Sequence, residues 1–257
     1  NNTLVVRVTD QGDTTVNIKE TDAGFLQDYI AINYGGIWQD VNLSTSSNVF
    51  IDNVFMNPDI DNNSVQVKAV VRNCSAVSKS LTVQSDVVPK SGGSTSTGTA
   101  TVTLGAGDTR QVIFYVNIAS PVLWTTNNPF LYTSTVSVKE GSATLDTSVT
   151  DFGMRKISVS GHKIQLNNQN IFVTGSLHWG LYWDSIAEKP SVAQVEKEIT
   201  DLKNAGFNAI KFCLFDPPEY VLKECDEHGM LVYIEYPWFV PAETNNFFFR
   251  AKRHFKE

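Results

Sequence analysis

The 257 residues predict a multidomain chain of the β plus α/β class: an antiparallel β-sandwich followed by a parallel α/β unit. Three observations predict it. Over the first two thirds, apolar residues alternate at period two between turn residues, as in a sandwich. After about Ser158 this gives way to strand, helix, strand, helix, strand and helix with short connections, the grammar of a parallel α/β domain. The composition, 42% hydrophobic and 18% charged, is that of a globular chain with a core to bury.

Leu4, Val6 and Val8 alternate with Val5, Arg7 and Thr9, and Val65, Val67, Ala69 and Val71 alternate with Gln66, Lys68 and Val70. Similar runs lie at Leu81–Val83, Thr99–Leu104, Gln111–Ile118, Tyr132–Lys139 and Ala143–Val149. The Ser/Thr/Gly stretch Ser91–Gly98 reads as a flexible hairpin tip.

Beyond Ser158, Ile164–Leu166 and Asn170–Val173 read as a hairpin around Asn167, Asn168 and Gln169. In Ser191–Ala205, Val192, Val195, Ile199 and Leu202 share one helical face. Ser191 and Gln194 form a capping box, and Gly206 is placed to end the helix in a left-handed conformation. Asn208–Cys213 reads as a short strand, and Pro218–Glu227 as a helix with Gly229 just past its end. Met230–Ile234 is a continuous apolar run, as expected of a strand buried on both faces, and Asn246–Glu257 reads as a third helix. A complete small doubly wound domain stays open, although no phosphate-binding glycine loop follows these strands.

The formal net charge is −7, with 20 basic and 27 acidic residues and no Lys/Arg cluster, which argues against nucleic acid and anionic membranes. No apolar run reaches the ~18 residues of a membrane helix. Cys74, Cys213 and Cys225 are too few and too scattered for a disulfide framework or a zinc site, and read as buried free thiols.

In parallel α/β folds, functional groups collect at the C-terminal ends of strands. His178 and Trp179 follow the first such strand, Lys211 ends the second, and Glu235 with Trp238 follows the third. Aromatic rings stack on the C–H faces of sugar rings while charged groups hold hydroxyls, so this rim would suit a sugar. Each residue also has a structural reading: a satisfied His178, a solvated Lys211, and Trp179, Trp183 and Trp238 as core. Hydrolysis of a glycosidic bond usually takes two carboxyl groups. Glu235 is the one carboxylate at a strand terminus here, since Asp216 reads as a helix cap and Asp226 and Glu227 end a helix. No Gly-x-Ser-x-Gly elbow and no metal-site spacing is present.

Several segments resemble one family in its own order. Asn2–Val8 followed by Tyr34–Val41 resembles the end of the jelly-roll domain of family-2 glycoside hydrolases. Leu123-Trp124 and Asn128–Tyr132 resemble late strands of that family's immunoglobulin-like domain, and Asp151–Arg155 its entry into the barrel. Leu166–Phe172, Gly175–His178, Asp201–Lys203 with Gly206–Lys211, and Cys225–Gly229 with Val232–Glu235 resemble the first barrel units. The resemblance implies three pieces: 1–48, the C-terminal end of a jelly-roll sugar-binding domain; 49–155, an immunoglobulin-like β-sandwich; and 156–257, the N-terminal portion of a (β/α)8 TIM barrel.

It also implies hydrolysis, with retention, of β-linked O-glycosyl bonds in oligo- or polysaccharides, as in β-galactosidases, β-glucuronidases and β-mannosidases. His178 would lie at the sugar subsite. Glu235 would hold a sugar hydroxyl or, in some members, a divalent metal ion, with no other cofactor implied. Lys211 stands where the family usually has Arg, and Leu214-Phe215-Asp216-Pro217 departs from its usual His-Tyr-Pro step. The acid/base and nucleophile glutamates are expected beyond Glu257, so residues 1–257 are expected to be inactive alone and, with open strand edges, prone to associate. Family members often form homo-oligomers, and the substrate class implies a periplasmic or secreted protein. A non-catalytic carbohydrate-binding or scaffold module stays open as the alternative, because folds host unrelated functions.

Overall fold

The computed structural model describes residues 3–7, 41–180, 190–213 and 217–235. The chain divides into two compact units, one of residues 43–173 with 226–230, the other of 1–42, 174–225 and 231–257. The expected third helix, the segment 34–40, Asp216, Trp183 and Trp238 lie outside the described residues. Residues 3–7 form no strand, and Leu4 and Val5 are fully open, since no neighbouring strand pairs with them among the described residues.

The first unit is a two-sheet antiparallel sandwich. One sheet has the order β1 (Val49–Asp59), β2 (Ser64–Asn73), β5 (Thr109–Asn117). The other has the order β4 (Ser96–Leu104), β3 (Lys79–Pro89), β6 (Tyr132–Glu140), β7 (Ala143–Phe152). Successive side chains on a strand point to opposite faces, so Val65, Val67, Ala69 and Val71 of β2 are all turned inward and fully buried. They share one core with Leu81, Val83 and Val87 of β3 and Val136 and Val138 of β6. The Ser/Thr/Gly stretch is only in part a hairpin tip: Ser96–Gly98 belong to β4, where a Cβ on Gly98 would meet the Tyr115 carbonyl oxygen at 2.4 Å. Cys213 and Cys225 are buried as expected, but Cys74 is exposed because β2 ends at Asn73 and the chain turns there.

Behind β7, the strands β8 (Ile157–Ser160), β9 (Lys163–Leu166) and β10 (Gln169–Asn170) form a small antiparallel sheet. Asn167 and Asn168 take φ of 53° and 64° in the expected hairpin turn, a conformation Asn tolerates better than most residues. A second cluster in the sandwich unit surrounds fully buried Trp124. Its indole N–H donates to the Asp226 carbonyl at 2.8 Å, the Arg155 guanidinium lies over its ring, and Arg155 Nη1 pairs with Asp226 Oδ1 at 2.9 Å.

The second unit holds a three-stranded parallel sheet in the order β11 (Gly175–His178), β12 (Ala209–Phe212), β13 (Leu231–Ile234). Helix α1 (Val192–Asn204) joins β11 to β12, and α2 (Glu219–His228) precedes β13. The capping box forms as the spacing predicts, with Ser191 accepting from Gln194 N and the Gln194 side chain accepting from Ser191 N. Val195 and Ile199 are buried from the predicted apolar face, and Gly206 takes φ of 90° just past the helix. Strand β13 departs from the expectation of burial on both faces: Val232, Tyr233 and Ile234 are 36%, 63% and 40% exposed. Among the described residues it pairs only with β12, so its other side is open there. No helix among the described residues is long and apolar enough to cross a membrane.

Candidate functional site

The parallel register places Leu177, Lys211 and Tyr233 side by side, and His178, Phe212 and Ile234 in the next row. Alternation therefore turns Lys211 and Tyr233 to one face of the sheet and His178 and Phe212 to the other. Two backbone bonds tie the strand ends together: Cys213 N donates to the His178 carbonyl and Glu235 N to the Phe212 carbonyl, each at 2.8 Å.

On the Lys211 face, Lys211 Nζ lies 2.7 Å from Glu235 Oε2 and 5.6 Å from the centroid of the Tyr233 ring. Glu235 Oε2 is shielded from solvent and paired with Lys211 by charge, its approach lying outside hydrogen-bond angles. The carboxylate as a whole stays open, with its side chain 38% exposed. The Lys211 ammonium beside it, and then the Cys213 thiol, hold its carboxyl below the usual glutamate range. Glu235 in turn holds Lys211 above the usual lysine range. Burial, and then the bond to Glu235, pushes the Cys213 thiol up, so it stays a thiol at neutral pH. The result is a cation, an anion and a donor thiol at adjacent strand ends, with an aromatic ring beside them. Such a set can bind and orient polar hydroxyls.

His178 stands apart from this set. Its Nδ1 accepts from Gly180 N at 2.9 Å, which leaves the ring proton on Nε2, 2.9 Å from Glu198 Oε1 of α1. Its ring packs edge-on against Phe212. Trp179 is half-buried directly after β11. Of the residues expected to converge, Lys211 and Glu235 meet, His178 faces α1, and Trp238 lies outside the described residues. Cys213 and Tyr233 join the pair without having been singled out. Each lies two positions from Lys211 or Glu235, and period two along a strand was the signal that could have found them.

Glu235 does not fit a metal ligand here. The Lys211 ammonium occupies its carboxylate, and no group of three potential ligands gathers among the described residues.

Residues 49–155 match the family model described as glycosyl hydrolases family 2. A provisionally named beta-glucuronidase of Formosa agariphila is 26% identical over 239 residues, 92% of this chain and 28% of that protein. A beta-galactosidase of Pseudoalteromonas haloplanktis is 26% identical over 226 residues, 85% of this chain and 22% of that protein. A crystal structure of a Bacteroides uniformis beta-glucuronidase superposes with a TM-score of 0.75 at 21% identity, over 94% of this chain and 30% of that one. At that identity the structural likeness shows the fold. The chain thus spans under a third of the length of these relatives. Together these define the class of fold, a mostly-β architecture with few helices like that of these glycosidases. Residues 49–155 carry the match to glycosyl hydrolases family 2, and across most of its length the chain is similar in sequence to these two glycosidases.

Proposed function

We propose that the chain is part of a glycosidase that hydrolyses β-linked O-glycosyl bonds in oligo- or polysaccharides with retention. In this reading residues 49–155 are the immunoglobulin-like domain and residues 156–257 open a (β/α)8 barrel. Residues 1–48 close a jelly-roll domain. The observation that carries the reading is the Lys211–Glu235 pair at the C-terminal ends of adjacent parallel strands, the edge where such barrels hold substrate. Together with Cys213 and Tyr233 it positions sugar hydroxyls, and Trp179 and Trp238 serve to stack on sugar rings. His178 acts from the other face by fixing the end of β11 to α1 through Glu198.

The catalytic carboxyl pair is a separate matter. Retaining hydrolysis needs a general acid and a nucleophile about 5–5.5 Å apart. Glu235 is committed to Lys211 and serves as neither. Residues 1–257 therefore bind and orient while the carboxyl pair comes from later strands. The relatives' names point to β-galactosides and β-glucuronides as substrates, and such substrates fit a periplasmic or secreted enzyme that works as a homo-oligomer.

The test is release of nitrophenol from nitrophenyl β-galactoside and β-glucuronide. It is run on the 257-residue chain and on the longest product of the same reading frame. Turnover by the longer chain alone is expected. Turnover by the 257-residue chain would overturn the placement of the carboxyl pair. Sugar binding without turnover by the longer chain would make this a carbohydrate-binding module instead.

A further inference from the structure

We propose that the outer face of the β1–β2–β5 sheet is a binding platform for an anionic polysaccharide, a glycan chain bearing carboxylate groups. The register defines this face row by row. Phe55, Lys68 and Ile113 lie abreast, and Asn57, Gln66 and Tyr115 form the next row. Their strand neighbours Val67 and Val116 are fully buried, so these six side chains point away from the core.

The face breaks the usual rule for an outward sheet surface, which is polar. Phe55 is 55% exposed, Ile113 49% and Tyr115 57%. The Tyr115 ring is oriented by Gln66, whose Nε2 donates to the phenol oxygen at 2.6 Å. Strands ~4.8 Å apart with a rise of ~3.4 Å per residue put Phe55 and Tyr115 roughly 12 Å apart on the diagonal. An extended glycan crosses that distance with more than one sugar ring, so both aromatic faces can stack on it.

Charge selects the kind of glycan. Lys68 sits between the two rings, its Nζ 5.4 Å from the Phe55 centroid. Among the described residues it has no carboxylate partner, and no acidic residue stands in either row. Arg72, further along β2 on the same face, is exposed and adds a second cation. Asp59 stands in the row beyond Asn57, Gln66 and Tyr115, its carboxylate taken up by Asp61 N and by the backbone and side chain of Asn62, while Asp52 lies in the β1 bulge and Asp108 accepts from Gly105 N in the turn before β5. A chain of net charge −7 thus places Lys68, without a carboxylate partner among the described residues, beside two exposed rings. Cations between stacking rings suit a polymer that carries both sugar rings and carboxylates. The platform holds polymer whether or not a bond in it is cleaved, so its test reads binding and not turnover.

The experiment is affinity electrophoresis of the full chain in gels containing polygalacturonate, hydroxyethyl cellulose or polyglutamate. Retardation by polygalacturonate is expected, at least tenfold stronger than by either other polymer and weakened by salt. Tyr115→Ala should weaken it about tenfold or more. Lys68→Glu, which leaves both rings in place, should abolish it. No retardation, or equal retardation by polyglutamate, would overturn the proposal. So would binding that survives both substitutions, or a face covered by a second copy, seen as concentration-dependent sedimentation lost in Tyr115→Ala.

Discussion

Lys211 Nζ and Glu235 Oε2 meet at 2.7 Å from adjacent parallel strands, and each shifts the other's proton affinity. The Glu235 carboxyl is held low, so its contribution is present above about pH 4.3 and is lost as pH falls through its folded value. Lys211 is held high, so its contribution is present below about pH 10.4 and is lost as pH rises through its folded value. The pair is therefore intact from about pH 5 to 10. Lys211→Met should raise the Glu235 midpoint in a carboxyl-carbon NMR titration. An unmoved midpoint would show that Lys211 is not the cause.

Gly229 has φ of 72°, and a Cβ there would lie 2.5 Å from the Thr126 carbonyl oxygen. Gly229→Ala should therefore destabilise by about 2–4 kcal/mol, combining a left-handed alanine with displaced backbone. Gly141→Ala is the control in the same unit: φ is 59° and nothing lies within 4 Å, so only the conformational part, about 1–2 kcal/mol, should appear. Urea unfolding of the two variants distinguishes these terms. Equal losses would mean the Thr126 contact carries no strain.

Ser85 and Ser134 are fully buried, and their hydroxyls share one hydrogen bond of 2.9 Å inside the sandwich. Ser85→Ala leaves the Ser134 hydroxyl without its partner and should destabilise by about 1–3 kcal/mol. The double variant Ser85→Ala with Ser134→Ala should recover much of that loss, because no hydroxyl is then stranded. Thermal unfolding of the single and double variants measures the coupling, and strict additivity would refute it.

Cys74 is exposed while Cys213 and Cys225 are buried. The thiolate is the reactive form, and burial raises Cys213 further from it. Ellman's reagent at neutral pH should therefore modify one thiol quickly and two only on unfolding. Cys74→Ser should remove the fast phase. A fast phase that remains would place a reactive thiol elsewhere.

Local signals in the sequence were reliable where the physics is local. The alternation of Val65 to Val71 reported their burial, because a half-buried strand must turn every second residue inward. Ser191, Gln194, Gly206 and Gly229 marked helix ends, because caps and left-handed residues satisfy nearby backbone groups. β1 was not legible as a strand, since its bulge between Ile51 and Asn53 breaks the period of two.

The site was legible only in part. Lys211 and Glu235 could be placed at strand ends, but strand ends alone do not say which face a side chain takes. The parallel register decided that, joining Lys211 to Glu235 and turning His178 to Glu198 on α1. The apolar run Met230–Ile234 suggested burial on both faces, yet among the described residues β13 pairs only with β12 and stays partly exposed, because burial depends on which neighbours are present. By itself the sequence determined the order and kind of most elements, β1 and β8 excepted, and its ordered motifs pointed to the family, because propensity, capping and periodicity act over a few residues. Only the tertiary structure decided which side chains meet, since contacts such as Lys211–Glu235 and Trp124–Asp226 join residues far apart in the chain through sheet register and core packing.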